Sequence, residues 1–359
     1  MTPRTFGDTG VSVSPISLGC WIFGVDWWGH RTQEDCDRLC SFALERGVTF
    51  FDNGDAYGNG RAETLFGNWY ARLLPRQKEA VQIGGKFGYD WHTDPGEAGS
   101  HRERKQDFSP GFMRRALEDS LKRLHAERID VYLAHNIKLP HFRDDLFAEL
   151  DKARDEGKIG AWGVSLGPAI GWREEGFEAM EKHGARCVQT VYNYLEQHPG
   201  REIAQMARSY RAGMLARVHD NSGVLKDQIR PDTRLSQSDH RKFRDMPWRV
   251  FGPRKLEAIR PILERLGMNA HQFACKWILQ SAPEWTSITA TLLNEQEIEE
   301  AVTGAEMPDI PQQDMQTLQD LYERDFDLPP ESHACDLKSS VAPEGKVPSR
   351  YVAPPTLLA

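Results

Sequence analysis

A carboxylate, a phenol, a primary amine and an imidazole stand in the first half of the 359-residue chain, each closing or following a short apolar run. Asp52 comes directly after Phe50-Phe51, and Tyr57 follows in a turn that carries Gly54, Gly58 and Gly60. Glycine lets the chain bend tightly there and lie close to a ligand. Lys86 follows Val81-Gln82-Ile83-Gly84-Gly85, and His135 follows Ile129-Asp130-Val131-Tyr132-Leu133-Ala134. If each run is a strand, Asp52, Lys86 and His135 mark three strand ends and Tyr57 lies just beyond one. Such a set suits acid–base chemistry on a carbonyl. A barrel hydrolase working with Asp52 and Asp55 is the competing reading. It needs two carboxyls about 5–9.5 Å apart across a sugar and leaves Tyr57 and Lys86 without a task.

The elements that must position these residues alternate along the chain. Apolar strand patterns fall at 16–20, 48–51, 81–85, 129–134, 159–164, 187–191, 213–218 and 285–289. Helical patterns fall between them, at 34–46, 63–73, 110–124, 143–156, a stretch through Phe177 to His183, 201–211, 255–266 with 271–279, and 295–302. Gly47 and Gly157 read as helix stops, and Ser109-Pro110 as a helix start. Eight strand–helix units in series predict an α/β protein built as a parallel (β/α)8 TIM barrel, in which catalytic residues sit at strand C-terminal ends. A doubly wound sheet would need fewer units. Thr5 to Ser14, around Gly7-Asp8-Thr9-Gly10, reads as an N-terminal β-hairpin. The polar stretch 220–248 reads as a long loop over the top face. Residues 1–328 are expected to form one barrel domain, and 329–359 a Pro-rich, irregular tail.

Composition narrows the function. The net charge is −8 without a basic patch, which argues against nucleic-acid binding. No apolar run approaches the ~20 residues of a membrane helix, and Met1 to Phe6 lacks a signal-peptide core. Six cysteines, at 20, 36, 40, 187, 275 and 335, read as reduced thiols of a cytoplasmic protein. Cys36 and Cys40 lie one helical turn apart but show no further ligands in the sequence, so no metal is expected.

Several blocks in order resemble the aldo-keto reductases: Leu18-Gly19-Cys20-Trp21; Phe51-Asp52 with Tyr57-Gly58-x-Gly60-x-x-Glu63; Ser120-Leu121-x-x-Leu124 with Ile129 to His135; Gly157-Lys158-Ile159-x-x-Trp162-Gly163-Val164-Ser165; and Gln189-x-x-Tyr192-Asn193. The resemblance runs from about Thr5 to Leu321 and points to a bacterial-type reductase. It implies a barrel without a Rossmann domain, in keeping with the lack of a full G-x-G-x-x-G after a strand.

That resemblance implies an NAD(P)-dependent oxidoreductase that interconverts a carbonyl and an alcohol on an aldehyde, sugar or cyclitol. The alternative is a catalytically weak regulatory homologue that senses nicotinamide nucleotide. Tyr57 would be the general acid, with an ordinary phenol pKa near ~10 that Lys86 would lower. Asp52 would hold Lys86 charged, and His135 would orient the carbonyl. Ser165 and Gln189 would hold the nicotinamide carboxamide. Trp21, Asp52, Arg217, Gly223, Leu225 and Thr291 complete the implied cofactor set. Trp21, Trp28, Tyr57, His135 and Asn136 form the implied substrate set. Trp21, Trp27 and Trp28 read equally well as core or as an apolar wall beside the nicotinamide. The expected partner is a small carbonyl or alcohol, and the sequence is compatible with a homo-oligomer.

Three departures from the family pattern stand out. Leu166 replaces an Asn after Ser165, His219 replaces a Pro, and Ala290-Thr291 replaces a Pro-Gly. Leu293 falls near an expected Arg, Ala301 replaces an Asn, and no Lys or Arg lies between Lys276 and Arg324. A 2′-phosphate would meet carboxylates there, so the expected cofactor leans to NAD(H), unless Lys226 or Arg234 folds over from the 220–248 loop to supply the charge.

Overall fold

Side-chain alternation decides what the strands present to the barrel interior. The computed structural model describes residues 1–96, 104–167, 173–237, 239–244, 246–329 and 332. In chain order it contains β1 (Arg4–Thr5), β2 (Ser12–Val13), β3 (Ile16–Gly19), α1 (Trp21–Gly24), α2 (Gln33–Glu45), β4 (Phe50–Asp52), α3 (Arg61–Ala71), α4 (Pro75–Ala80) and β5 (Gln82–Phe87). There follow α5 (Pro110–Leu124), β6 (Ile129–His135), α6 (Asp144–Asp155), β7 (Ile159–Ser165), α7 (Arg173–Glu181), β8 (Cys187–Val191), α8 (Gly200–Tyr210) and β9 (Gly213–Arg217). The last elements are α9 (Met246–Leu266), α10 (Ala270–Ser281), β10 (Trp285–Ala290), α11 (Glu295–Glu306) and α12 (Gln312–Glu323). Strands β3 to β10 are all parallel to their neighbours and close into a barrel in the order β10-β3-β4-β5-β6-β7-β8-β9. The expected TIM barrel is therefore observed, together with its N-terminal hairpin, β1 paired antiparallel with β2.

Phe50, Val131, Leu133, Ala161, Cys187 and Leu215 form one buried cluster with Phe6, Val11 and Val13 of the hairpin. Phe51, Tyr132, Ala134, Val188, Met214 and Ala216 belong to a second cluster, shared with the helices. Neighbours along a strand thus divide between barrel interior and helix layer, as a period of two requires. The same period carries four polar residues inward: Asp52 two after Phe50, His135 two after Leu133, Gln189 two after Cys187 and Arg217 two after Leu215. The strand register sets His135 opposite Ser165 and Ser165 opposite Gln189, with Arg217 two residues beyond that level.

The hairpin closes the opposite end. Phe6 is fully buried and meets Phe50 edge-on at 6.2 Å. Gly7 has φ +49°, and a Cβ there would stand 1.7 Å from the Arg211 carbonyl oxygen. The turn can dock only with glycine at that position.

Local capping explains several boundaries. Thr32 and Asp35 form a reciprocal capping box that starts α2, and Gly47 at φ +79° follows its end. Ser109 Oγ accepts from Phe112 N to start α5.

Four sequence expectations are corrected. β5, β6 and β7 run one or two residues further than expected, and β4 runs through Asp52, because the polar residues ending the apolar runs stay in the ladder; β10 extends to Ala290, which pairs with Leu18. The 220–248 stretch holds 3-10 turns at Asn221–Lys226 and His240–Phe243. α9 begins at Met246 despite Pro253 and Pro261 within it, since fully buried Trp248 anchors its first turn through Nε1 to Asn221 O and Oδ1 at 3.1 Å. α4 and α12 were not foreseen. α12 is mostly polar and buries mainly Leu318 and Tyr322, a spacing of four.

The expected tail lies outside the described residues apart from Pro329 and Ser332. Ser332 is buried, and its hydroxyl donates to Asp325, which also accepts from fully buried Lys255 at 2.7 Å. Truncation before Pro329 is expected to keep a single cooperative melt and to cost about 2 kcal/mol, the worth of one hydrogen bond to a charged group. A transition that broadens or disappears on truncation would contradict this.

Candidate active site

Asp52, at the end of β4, and Lys86, near the end of β5, meet inside the barrel mouth. Lys86 Nζ donates to Asp52 Oδ1 at 2.6 Å and to the Asn53 carbonyl at 2.8 Å. Lys86 is fully buried and Asp52 nearly so, so each is the other's charge partner in a region of weak screening. Burial alone would lower the Lys86 pKa. Asp52 and Tyr57 together outweigh it and leave the ammonium above its ordinary value, hence charged.

Tyr57 reaches the same place from the turn after β4. The turn is fixed by Tyr57 N to Gly54 O at 3.0 Å and Asp55 N to Lys86 O at 3.3 Å. It also packs backbone to backbone on α1: a Cβ on Gly24 would lie 2.5 Å from the Tyr57 carbonyl, and one on Gly58 2.2 Å from Gly24 O. Lys86 Nζ lies 5.0 Å from the Tyr57 ring centroid. His135, ending β6, meets that ring edge-on at 5.7 Å. The four expected residues are therefore brought together.

Their protonation states follow from burial. His135 is pushed well below its ordinary pKa, first by burial and then by the cations Lys86, Arg217 and Arg104, so it is a neutral imidazole. The phenol departs from expectation. Burial raises the Tyr57 pKa, and Lys86 pulls it down but does not prevail. Lys86 thus moderates an elevated value and does not produce a depressed one. The phenol holds its proton across the neutral range.

A polar layer continues from Asp52. Ser165 Oγ donates to Gln189 Oε1 at 2.7 Å, and Gln189 Nε2 donates to Asp52 Oδ2 at 3.2 Å and to Thr289 Oγ1 at 3.0 Å. Arg217 Nη2 donates to the Leu166 carbonyl at 2.6 Å, which gives the residue replacing the family's Asn a backbone task. Asn136 Nδ2 donates to the Tyr89 hydroxyl at 2.8 Å, and Tyr89 meets His135 edge-on at 5.1 Å. Sequence reading missed Thr289 and Tyr89. Tyr89's position two residues past β5 was the available signal.

At the rim, Trp21 donates from Nε1 to Thr291 Oγ1 at 3.2 Å and packs edge-on against Trp27 and Trp28 at 5.1 and 4.8 Å. His240 stacks on Trp27 at 4.2 Å, so the 220–248 segment does cover this wall. Gly223, at φ +99°, turns the Asn221–Lys226 segment, and Leu225 is fully buried. Arg234 is exposed. Lys226 does reach the last barrel segment: its Nζ donates to Thr291 O at 2.5 Å and Glu297 Oε2 at 2.7 Å. Glu297 also accepts from Gln228 Nε2 at 3.1 Å and Leu293 N at 3.0 Å. The lysine expected as a free cation is thus neutralised by a buried carboxylate.

A model of the aldo/keto reductase family matches residues 15–323. The chain belongs to the aldo/keto reductase family. Its members are oxidoreductases that use NAD(P)(H) and act on small carbonyl substrates. Among curated relatives, a probable aldo-keto reductase of Glycine max is 26% identical over 299 residues, covering 80% of each chain. A probable voltage-gated potassium channel subunit beta of Oryza sativa is 26% identical over 309 residues, covering 84% of this chain and 90% of its own. Among solved structures, a glycerol dehydrogenase from Gluconobacter oxydans aligns with a TM-score of 0.75 at 22% identity, over 91% of this chain and 97% of its own. At that identity the likeness shows the fold alone.

The residues at the barrel mouth fit the family's nucleotide. Arg217 Nε, His135 Nδ1 and Asn136 Oδ1 are buried without a partner, so donor and acceptor capacity stands ready beside Tyr57. A buried polar atom left unpaired costs about 1–3 kcal/mol, which a bound polar ligand can recover.

Proposed function

We propose that this chain interconverts a carbonyl and an alcohol on an aldehyde, sugar or cyclitol, with NAD(H) preferred over NADP(H). The observation that carries the reading is the buried Lys86–Asp52 pair beneath Tyr57, with neutral His135 edge-on to the same ring. The nicotinamide, when bound, supplies or takes up the hydride. Ser165 and Gln189 hold its carboxamide, and Trp21, Asp52, Arg217, Gly223, Leu225 and Thr291 line the rest of its path.

Tyr57, protonated at neutral pH, gives its hydroxyl proton to the carbonyl oxygen. In the oxidation direction the phenolate removes the proton from the alcohol. Neutral His135 donates an N–H to that oxygen and orients it. Lys86 stabilises the phenolate left behind, and Asp52 keeps Lys86 charged and in place. Trp21, Trp28 and Asn136 border the substrate, and the indole faces suit the C–H face of a sugar. Five described cysteines are buried and unpaired, which suits a reducing, cytoplasmic setting. Assay of aldoses, cyclitols and simple aldehydes with both nucleotides tests the reading. Nucleotide binding without turnover of any of them would mark a nucleotide-sensing role instead.

The preference for NAD(H) rests on Glu297. A 2′-phosphate near Thr291 would find Lys226 already engaged, and a carboxylate beside it. Glu297→Gln is expected to remove the nearer of two carboxylates on Lys226, Asp220 at 3.7 Å being the other, and to tighten NADPH by about tenfold, with NADH little changed. One charge-assisted hydrogen bond, at about 1.5–3 kcal/mol, is enough for that factor. Titration of both nucleotides at two salt concentrations reads the result. Wild-type binding that already favours NADPH, and weakens as salt rises, would defeat the preference.

A further inference from the structure

Among the described residues, His219, His271 and Cys275 form the one group of three metal-ligating side chains that come together, each offering one ligand atom within 4.8 Å of the others. The active-site chemistry uses none of them. His219 Nε2 lies 3.0 Å from His271 Nε2, and all three residues are buried. His271 and Cys275 sit one turn apart on one face of α10, and His219 enters from the segment after β9. Ligands bound at about 2.0–2.3 Å from one zinc-type ion lie within ~4 Å of each other, so small side-chain rotations close the set.

Two further observations point to a cation. His271 Nδ1 is 3.2 Å from Glu300 Oε2, the carboxylate–histidine arrangement that fixes the tautomer of a metal-binding imidazole and leaves Nε2 free for the ion. The charged groups acting on the cluster are Asp220, Glu297 and Glu300 against Lys226 alone, an excess of negative charge. His219 also leaves its Nδ1 buried without a partner, so a hydrogen bond between the two rings does not satisfy the pair. Two imidazoles and a thiol, with no carboxylate in direct reach of all three, select a borderline-soft ion over magnesium or calcium.

We propose that His219, His271 and Cys275 bind a zinc-class divalent cation, which ties the segment after β9 to α10 at the base of the Asn221–Lys226 turn. Binding releases the Cys275 thiol proton to solvent and moves the His219 proton from Nε2 to Nδ1, so that both neutral imidazoles face the ion through Nε2. The alternative is that the three side chains only pack the segment against the helix.

Cobalt(II) separates the two. The full-length chain, refolded with excess Co2+ and then desalted, is expected to retain one ion per chain. It should show a thiolate-to-cobalt charge-transfer band in the near ultraviolet. Cys275→Ser, nearly isosteric, should abolish the band, and His219→Gln should lower retention at least tenfold. A Cys36→Ser/Cys40→Ser variant should keep the band, since that pair lies elsewhere. Zn2+ should raise the melting temperature of the wild type and leave that of Cys275→Ser unchanged. No retained cobalt after refolding, or a band that survives Cys275→Ser, would overturn the proposal. These readouts do not involve turnover, so they stand or fall apart from the reductase reading.

Discussion

Tyr57→Phe is expected to lower turnover by roughly 10²–10⁴-fold, the range ascribed to a positioned proton donor. The substitution removes one hydroxyl and keeps the ring, so the edge-on contact with His135 survives. The backbone turn that holds residue 57 against Gly24 also survives, because only the phenolic oxygen is lost. Nucleotide affinity and melting temperature should therefore stay near wild type. Activity within a few-fold of wild type would show that the proton comes from another group. The pH profile of the wild type carries a sign as well. Because burial lifts the phenol above its ordinary pKa, reduction should hold across neutral pH and decline only in the alkaline range. Oxidation, which needs the phenolate, should climb over the same range.

Lys86→Met is expected to have the second-largest effect, and in two separable ways. Chemically, it removes the charge that restrains the Tyr57 pKa, so oxidation should fall most near neutral pH and recover partly as pH rises. A loss independent of pH would assign Lys86 a purely structural part. Energetically, it leaves Asp52 buried without its cation, a change worth about 3–5 kcal/mol in comparable sites. Asp52→Asn combined with Lys86→Met should recover much of that stability, because no buried charge is then left alone. It should recover none of the rate. Chemical denaturation and pH–rate profiles of the single and double variants distinguish the two contributions.

The barrel was legible because its signals are local: short apolar runs alternating with helical patterns, glycine stops, and a Ser-Pro start. The strand ends were less so. Apolar runs stop at Phe51, Gly85 and Ala134, whereas the ladders continue through Asp52, Lys86 and His135, whose side chains face a polar mouth. The four candidate residues were legible by the same logic, as polar residues closing apolar runs. Lys226 was legible as a cation able to fold over from the 220–248 loop, but its pairing with Glu297 was not, because nothing near either residue announces a partner 71 positions away. His219 was visible only as a departure from a family pattern, and its neighbours His271 and Cys275 looked like ordinary helix residues. The start of α9 at Met246, ahead of the expected 255, was not legible. The anchoring of Trp248 by Asn221, 27 positions earlier, is a tertiary fact.

The hairpin under the barrel has a kinetic consequence. Phe6, Val11 and Val13 join Phe50, Val131, Leu133, Ala161, Cys187 and Leu215 in one cluster that fills the barrel interior from below, so every molecule that enters the mouth must leave by the door it came through. Two reactants sharing one doorway cannot exchange independently, and whichever settles deeper waits for the other to depart. Steady-state traffic should then be sequential, with each product inhibiting in a pattern set by its place in the queue. Loosening the stopper with Phe6→Ala should cost about 3–5 kcal/mol of stability. It should leave that queue intact, because the doorway lies at the other end.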